Sequence, residues 1–122
     1  MRTTLEEKWA GTKQTHYRLL LGKQDIGEVW ICIEDELPGE CYIASVEIIE
    51  SRRNEGYGKE LMSRVLKAAK EKGYRRALLK VRENNFPAIK LYKNCGFRIY
   101  DRYQHDRSKA AILKMEINLE QI

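Results

Sequence analysis

Between Ser51 and Met62 the chain reads SRRNEGYGKELM, placing Arg52, Arg53 and Lys59 around two glycines, Gly56 and Gly58, at the entry to a segment of helical periodicity. Glycines let a ligand approach the backbone closely. The first N–H groups of a helix lack intrahelical acceptors and stand at the positive end of its dipole, so such a turn suits an anion, phosphate above all. Two familiar phosphate loops do not fit. A Walker loop, G-x-x-x-x-G-K-[ST], needs glycine where Arg53 stands and Ser or Thr where Glu60 stands; the dinucleotide fingerprint G-x-G-x-x-G needs glycine at Leu61. A Gly-rich connection with exposed arginines is the plain alternative.

Two further places bring polar side chains to conspicuous positions. Glu47, with Ser45, breaks the apolar run CYIASVEII (41–49), where a carboxylate is costly unless paired or used. Asn85, followed by Pro87, has the signature of a helix cap ahead of the segment that carries Tyr92 and closes at Gly96. His16 and His105 lie far apart, have no partner at metal-ligand spacing, and read as surface or edge residues. The three cysteines, Cys32, Cys41 and Cys95, show neither CxxC nor Cys/His spacing, so neither a disulfide framework nor a metal site is expected.

The elements that must hold these residues follow from periodicity. THYRLLLGKQ and IGEVWICIED predict two strands around a turn with Gly22 and Asp25, and LPGE marks the next turn. CYIASVEII predicts a central strand covered on both faces. From Tyr57 to Lys72, Leu61, Met62, Val65, Leu66 and Ala69 recur at helical spacing while Lys59, Lys67 and Lys70 take the wet side, and Gly73 is the stop. YRRALLKVRE returns to strand, NNFPAIKLYKNCGF predicts a compact second helix, and RIYDRYQ and AAILKMEINL are two last strands around HDRSK. Trp30 alternates with Val29 and Ile31 and reads as core or as the wall of a pocket. The fold class is a mixed α/β (α+β) sheet with two main helices.

Length and charge bound the function. A chain of 122 residues, 43% hydrophobic and 34% charged, fits one domain (1–122) with a single core. It has no apolar run of spanning length and its first residues lack an apolar signal segment, so no membrane role and a cytoplasmic location are expected. A net charge of +5 and a pI near 9.1 favour an anionic ligand without choosing among nucleic acid, an acidic membrane and a phosphorylated small molecule.

Taken together, R-x-x-G-x-G at Arg53, Gly56 and Gly58, then, one strand later, N-x-x-A-x-x-L-Y-x-x-x-G-F at Asn85, Ala88, Leu91, Tyr92, Gly96 and Phe97, resembles the GCN5-related N-acetyltransferase (GNAT) family over Ala44 to about Tyr100. The resemblance implies a mostly antiparallel central sheet and acyl transfer from acetyl-CoA to a primary amine, without a metal. It implies that Arg53 and the backbone of Asn54, Glu55, Gly56, Tyr57, Gly58 and Lys59 wrap the CoA pyrophosphate. Val46 and Ile48, on a strand that parts from its neighbour, would pair with the pantetheine arm. Asn85 matches a polar contact to that arm, with a simple helix cap as the alternative. Tyr92 matches the family tyrosine that protonates the departing thiolate, with a packed core tyrosine as the alternative. Glu47 is the candidate base for the attacking ammonium, its carboxyl raised by burial; an ion pair with Lys or Arg on a neighbouring strand is the alternative.

Two departures stand out. Family members carry a strand and two helices before the first hairpin, whereas about fifteen residues precede HYRLLL here, so Arg2 to Lys13 form one short helix or strand. The acceptor cleft is then open, completed by a second copy in a homodimer, or shaped for a large substrate. Asn54 and Glu55 stand where many relatives have Arg or Lys, leaving Arg52 to compensate. The rival functions are an acyl-CoA-binding sensor or subunit without efficient chemistry and, last, a basic nucleic-acid-binding domain drawing on YRRALLKVRE and RIYDRYQHDR.

Overall fold

A computed structural model describes residues 2–33 and 37–122. Its strands are β1 (Thr3–Ala10), β2 (Gln14–Leu21), β3 (Gln24–Cys32), β4 (Glu40–Ile48), β5 (Arg76–Arg82), β6 (Arg98–Tyr103) and β7 (Ile112–Asn118); α1 spans Tyr57–Glu71 and α2 Phe86–Asn94. Glu34 and Asp35, at the end of the expected second strand, lie outside the described residues.

The seven strands form one sheet in the order β1-β2-β3-β4-β5-β7-β6. Every neighbouring pair is antiparallel except β4 and β5. The segment before β2 is a strand that pairs with β2 along its length and turns back at Gly11, whose N–H donates to Gln14 O at 2.7 Å. No helix intervenes between β1 and β2.

Both crossovers, β4-α1-β5 and β5-α2-β6, step across the sheet in the same direction, and right-handed connections then put both helices on one face. Packing agrees. Leu61, Met62, Val65, Leu66 and Ala69 of α1 are buried in one cluster with Leu19, Val29, Ile43, Leu79 and Met115, and Ala88, Ile89, Leu91 and Tyr92 of α2, with Cys95 at its C-cap, pack against it. Each fully buried Leu, Val or Met contributes roughly 1.5–3 kcal/mol, so the α1 stripe alone accounts for about 10 kcal/mol of burial. Strand residues that alternate with the cluster, among them Arg18, Glu28, Lys80 and Lys114, face the other side, which no helix covers among the described residues.

That one-sided covering corrects the reading of β4 as buried on both faces. His16 also departs from expectation: it is 8% exposed, stacked on Trp30 with ring centroids 4.3 Å apart and planes 7° from parallel. Trp9 leans on Trp30 from the edge strand at 6.1 Å, so two tryptophans shelter an imidazole that periodicity alone assigned to the surface.

Candidate active site

The hydrogen-bonded pairing of β4 with β5 consists of three registers, Glu40/Arg76, Cys41/Ala77 and Tyr42/Leu78. Beyond Tyr42 the strands part, and β4 runs on to Ile48 while β5 runs on to Arg82. Arg76 locks the closed end: its guanidinium donates to Glu40, and its Nε donates to Glu116 Oε1 at 2.7 Å. The open end is a groove of about 550 Å³.

Each wall of the groove has a local cause. On one side stand Val46, Glu47 and Ile48 of β4; on the other stand Asn85, Pro87, Ala88 and Leu91, with Ala88 and Leu91 on one face of α2 at a spacing of three. Across the mouth lie Arg52, Arg53, Asn54, Gly56, Gly58 and Lys59. Gly56 holds φ +87° with open space where a Cβ would be, so glycine is required there by the backbone and not by crowding. No side chain caps α1, and its first intrahelical bond is Glu60 N–H to Gly56 O at 3.2 Å. The N–H groups before Glu60 therefore have no intrahelical acceptor, and they stand beside the groove. Asn54 is left-handed as well (φ 63°), a conformation that Asn tolerates better than most residues.

β4 carries an extra residue. Its register with β3 passes from Trp30/Ala44 to Glu28/Glu47, so Ser45 and Val46 together oppose Val29, and Ser45 takes φ 53°. Such a bulge shifts the strand's alternation by one residue. Cys41 and Ile43 face the core before it, and Val46 and Ile48 face it afterwards, while Glu47 turns to the uncovered side. Glu47 is exposed, not buried, and its cross-strand neighbour is the acidic Glu28, not a lysine or arginine. Both sequence-based accounts of its environment are thereby corrected.

The other expected site residues divide. Val46, Ile48, Arg53, Asn54, Gly56, Gly58, Lys59 and Asn85 come together at the groove, whereas Glu55, Tyr57 and Tyr92 do not line it. Arg53 Nε donates to Ile48 O at 2.9 Å, tying the loop to the end of β4, and Arg52 Nη2 donates to Gln24 Oε1 at 3.2 Å. Asn85 Oδ1 accepts from Ala88 N–H at 3.3 Å, the capping role, while its residue still borders the groove. Tyr92 packs one position beyond the groove-lining Leu91, its ring 6.0 Å from that of Phe97. Burial pushes its phenol above the ordinary value, with Cys95 adding to the effect. Pro87, Ala88 and Leu91 also line the groove, and their only mark in the sequence is that Ala88 and Leu91 are letters of the second motif.

A helix N-terminus and arginines at the mouth of a wedge between two parting strands define a site for a long ligand with a polyanionic end. Comparison with known proteins gives that class a family. Residues 2–97 match the model of the acetyltransferase (GNAT) family, and the chain belongs to that family. No curated protein sequence matches it. Among solved structures, it is similar to a GNAT family acetyltransferase from Elizabethkingia anophelis with acetyl-CoA bound (TM-score 0.83, 17% identity, 95% of this chain and 97% of that one). It is also similar to the ribosomal-protein-S18-alanine N-acetyltransferase of Escherichia coli (TM-score 0.81, 14% identity, 97% and 94%). A third is a Bacillus subtilis acetyltransferase in complex with CoA (TM-score 0.80, 16% identity, 96% and 99%). At these identities the likeness is one of fold.

Proposed function

We propose that the protein transfers an acetyl group from acetyl-CoA to a primary amine. The observation that carries this reading is the loss of β4–β5 pairing after Tyr42/Leu78, where a groove opens against an uncapped helix N-terminus. Acetyl-CoA lies with its pyrophosphate on the N–H groups and cations of residues 53–59 and its pantetheine amides on the main chain of Val46 and Ile48 where β4 has parted from β5, beside the Ile48 carbonyl that accepts from Arg53. Asn85 offers its side-chain amide N–H groups to the same arm while its Oδ1 stays in the cap.

Chemistry then needs four moves. Glu47, directly or through water, takes a proton from the acceptor ammonium; the free amine attacks the thioester carbonyl carbon; β4 N–H groups near the bulge stabilise the oxyanion; the C–S bond breaks, the thiolate takes the Tyr92 phenolic proton, and the second proton lost from the amide nitrogen restores that phenol. Burial keeps that proton on Tyr92 throughout the neutral range. One observation favours a second reading, an acyl-CoA-binding sensor: Tyr92 packs on Phe97 and does not border the groove. Calorimetry with acetyl-CoA, followed by thiol release over a panel of amines, separates the two. Binding with turnover supports the enzyme, binding without turnover supports the sensor, and no binding refutes both.

A further inference from the structure

The uncovered face of the sheet sets two like-charge pairs on either side of the wedge. Glu28 stands directly opposite Glu47 across β3 and β4, and Lys80 stands directly opposite Lys114 across β5 and β7. Like charges facing each other across strands are destabilising, so a fold that keeps two such pairs keeps them at a cost in stability.

Each pair has one opposite charge in register beside it, Arg18 at Glu28 and Asp101 at Lys114, and neither of these closes to ion-pair distance. Arg18 faces Glu28 in register, but its guanidinium lies 2.6 Å from Glu6 and 3.8 Å from Asp25. His16 Nε2 comes within 3.4 Å of Glu28 Oε2, inside ion-pair range, yet it makes no hydrogen bond although the residue is more than nine-tenths buried. Lys80 and Lys114 lie over the Tyr42 and Tyr103 rings, each 5.4 Å from the centroid. Asp101 faces Lys114 in register, and neither lysine forms an ion pair with a described carboxylate. The wedge thus has an acidic bank backed by a buried, unsatisfied imidazole and a basic bank resting on aromatic rings.

We propose that the acceptor is a zwitterion, an amine that also bears a carboxylate, held with its ammonium on the Glu47/Glu28 bank and its carboxylate on the Lys80/Lys114 bank. The inference rests on the acetyltransferase reading. The ammonium is thereby delivered to the candidate base, beside the thioester, and the carboxylate crosses the wedge away from it. Lys80 follows Leu78 by two residues and so is level with Ala44, whereas Glu47 lies one row nearer the loop. Adjacent strands are about 4.8 Å apart and alternate residues on one face about 6.7 Å, so the two banks are on the order of 8–12 Å apart across the splayed strands. Lysine side chains can shorten that span, which suits a chain of several methylenes between amine and carboxylate.

The test uses ω-amino acids of four to six methylenes against n-alkylamines and diamines of equal length, long enough that the far group scarcely alters amine basicity. Thiol release gives kcat/KM, and calorimetry on CoA-saturated protein gives acceptor affinity without requiring turnover. An ω-amino acid preferred at least tenfold over both matched amines, with the preference over the alkylamine collapsing to less than threefold in Lys80→Gln/Lys114→Gln, supports the proposal. Alkylamines or diamines bound as well as the amino acids, or a preference that survives the double substitution, overturns it. Failure of acetyl-CoA itself to bind would instead strike the underlying reading.

Discussion

Replacing Arg76 by Ala tests whether the closed end of the wedge is held by charge. The side chains of Glu40 and Glu116 are 12% exposed, and Arg76 bridges them from the first position of β5. Removing one partner of a buried ion pair costs about 3–5 kcal/mol. The Arg76 side chain is itself 35% exposed, and Arg98 stays 3.1 Å from Glu116 Oε2, so solvent and the remaining cation reduce the loss to roughly 2–3 kcal/mol. At about 2.1 cal/mol/K of unfolding entropy per residue, a chain of 122 residues loses roughly 4 °C of Tm for each kcal/mol. Thermal melts of Arg76→Ala should therefore fall by about 8–12 °C. Acetyl-CoA affinity should weaken several-fold, although Arg76 does not line the groove, because the parallel registers that anchor β4 to β5 lie at this end. A drop in Tm below 3 °C with unchanged affinity would refute the reasoning.

Tyr92→Phe should lower turnover more than acetyl-CoA affinity, and unchanged kcat at saturating acetyl-CoA would remove its role as acid. Gly56→Ala forces a Cβ into the left-handed region at a cost of about 1–2 kcal/mol with no clash to add, so a melt lowered by about 4–8 °C and a weaker fit to acetyl-CoA are expected; an unchanged melt counts against the strain. Tyr17 gives a pH dependence of known sign. Burial, then the charge of Glu7, pushes its phenol up to about 12 from an unfolded value near 10. A raised folded pKa gives stability that is complete below pH 10 and lost as pH climbs to 12, on the order of 2–3 kcal/mol in all. Urea titrations from pH 9 to 12 should show that decline in the wild type and much less of it in Tyr17→Phe.

The readable parts of the sequence were those whose cause is local. Gly56 and Gly58 mark a backbone turn and helix start that depend on a few neighbouring residues, Asn85 caps the helix three residues ahead of Ala88, and the α1 stripe is fixed by a period of 3.6. The order of strands and helices and the two motifs therefore sufficed for the glycine turn at the start of α1 and for the family resemblance.

What the chain alone left open was decided by contacts between distant segments. The face that Glu47 occupies depends on one extra residue at Ser45/Val46, which exists only relative to the register of β3; reading β4 as a buried run missed it. His16 became a buried residue because Trp9 and Trp30 come to it from two other strands. The wedge depends on β4 and β5 ceasing to pair after Tyr42, and the opposed glutamates and lysines depend on register across it. Local propensity determines which elements form, whereas cross-strand register, a long-range property, determines which side chains share a face, and the proposed acceptor is argued from that face.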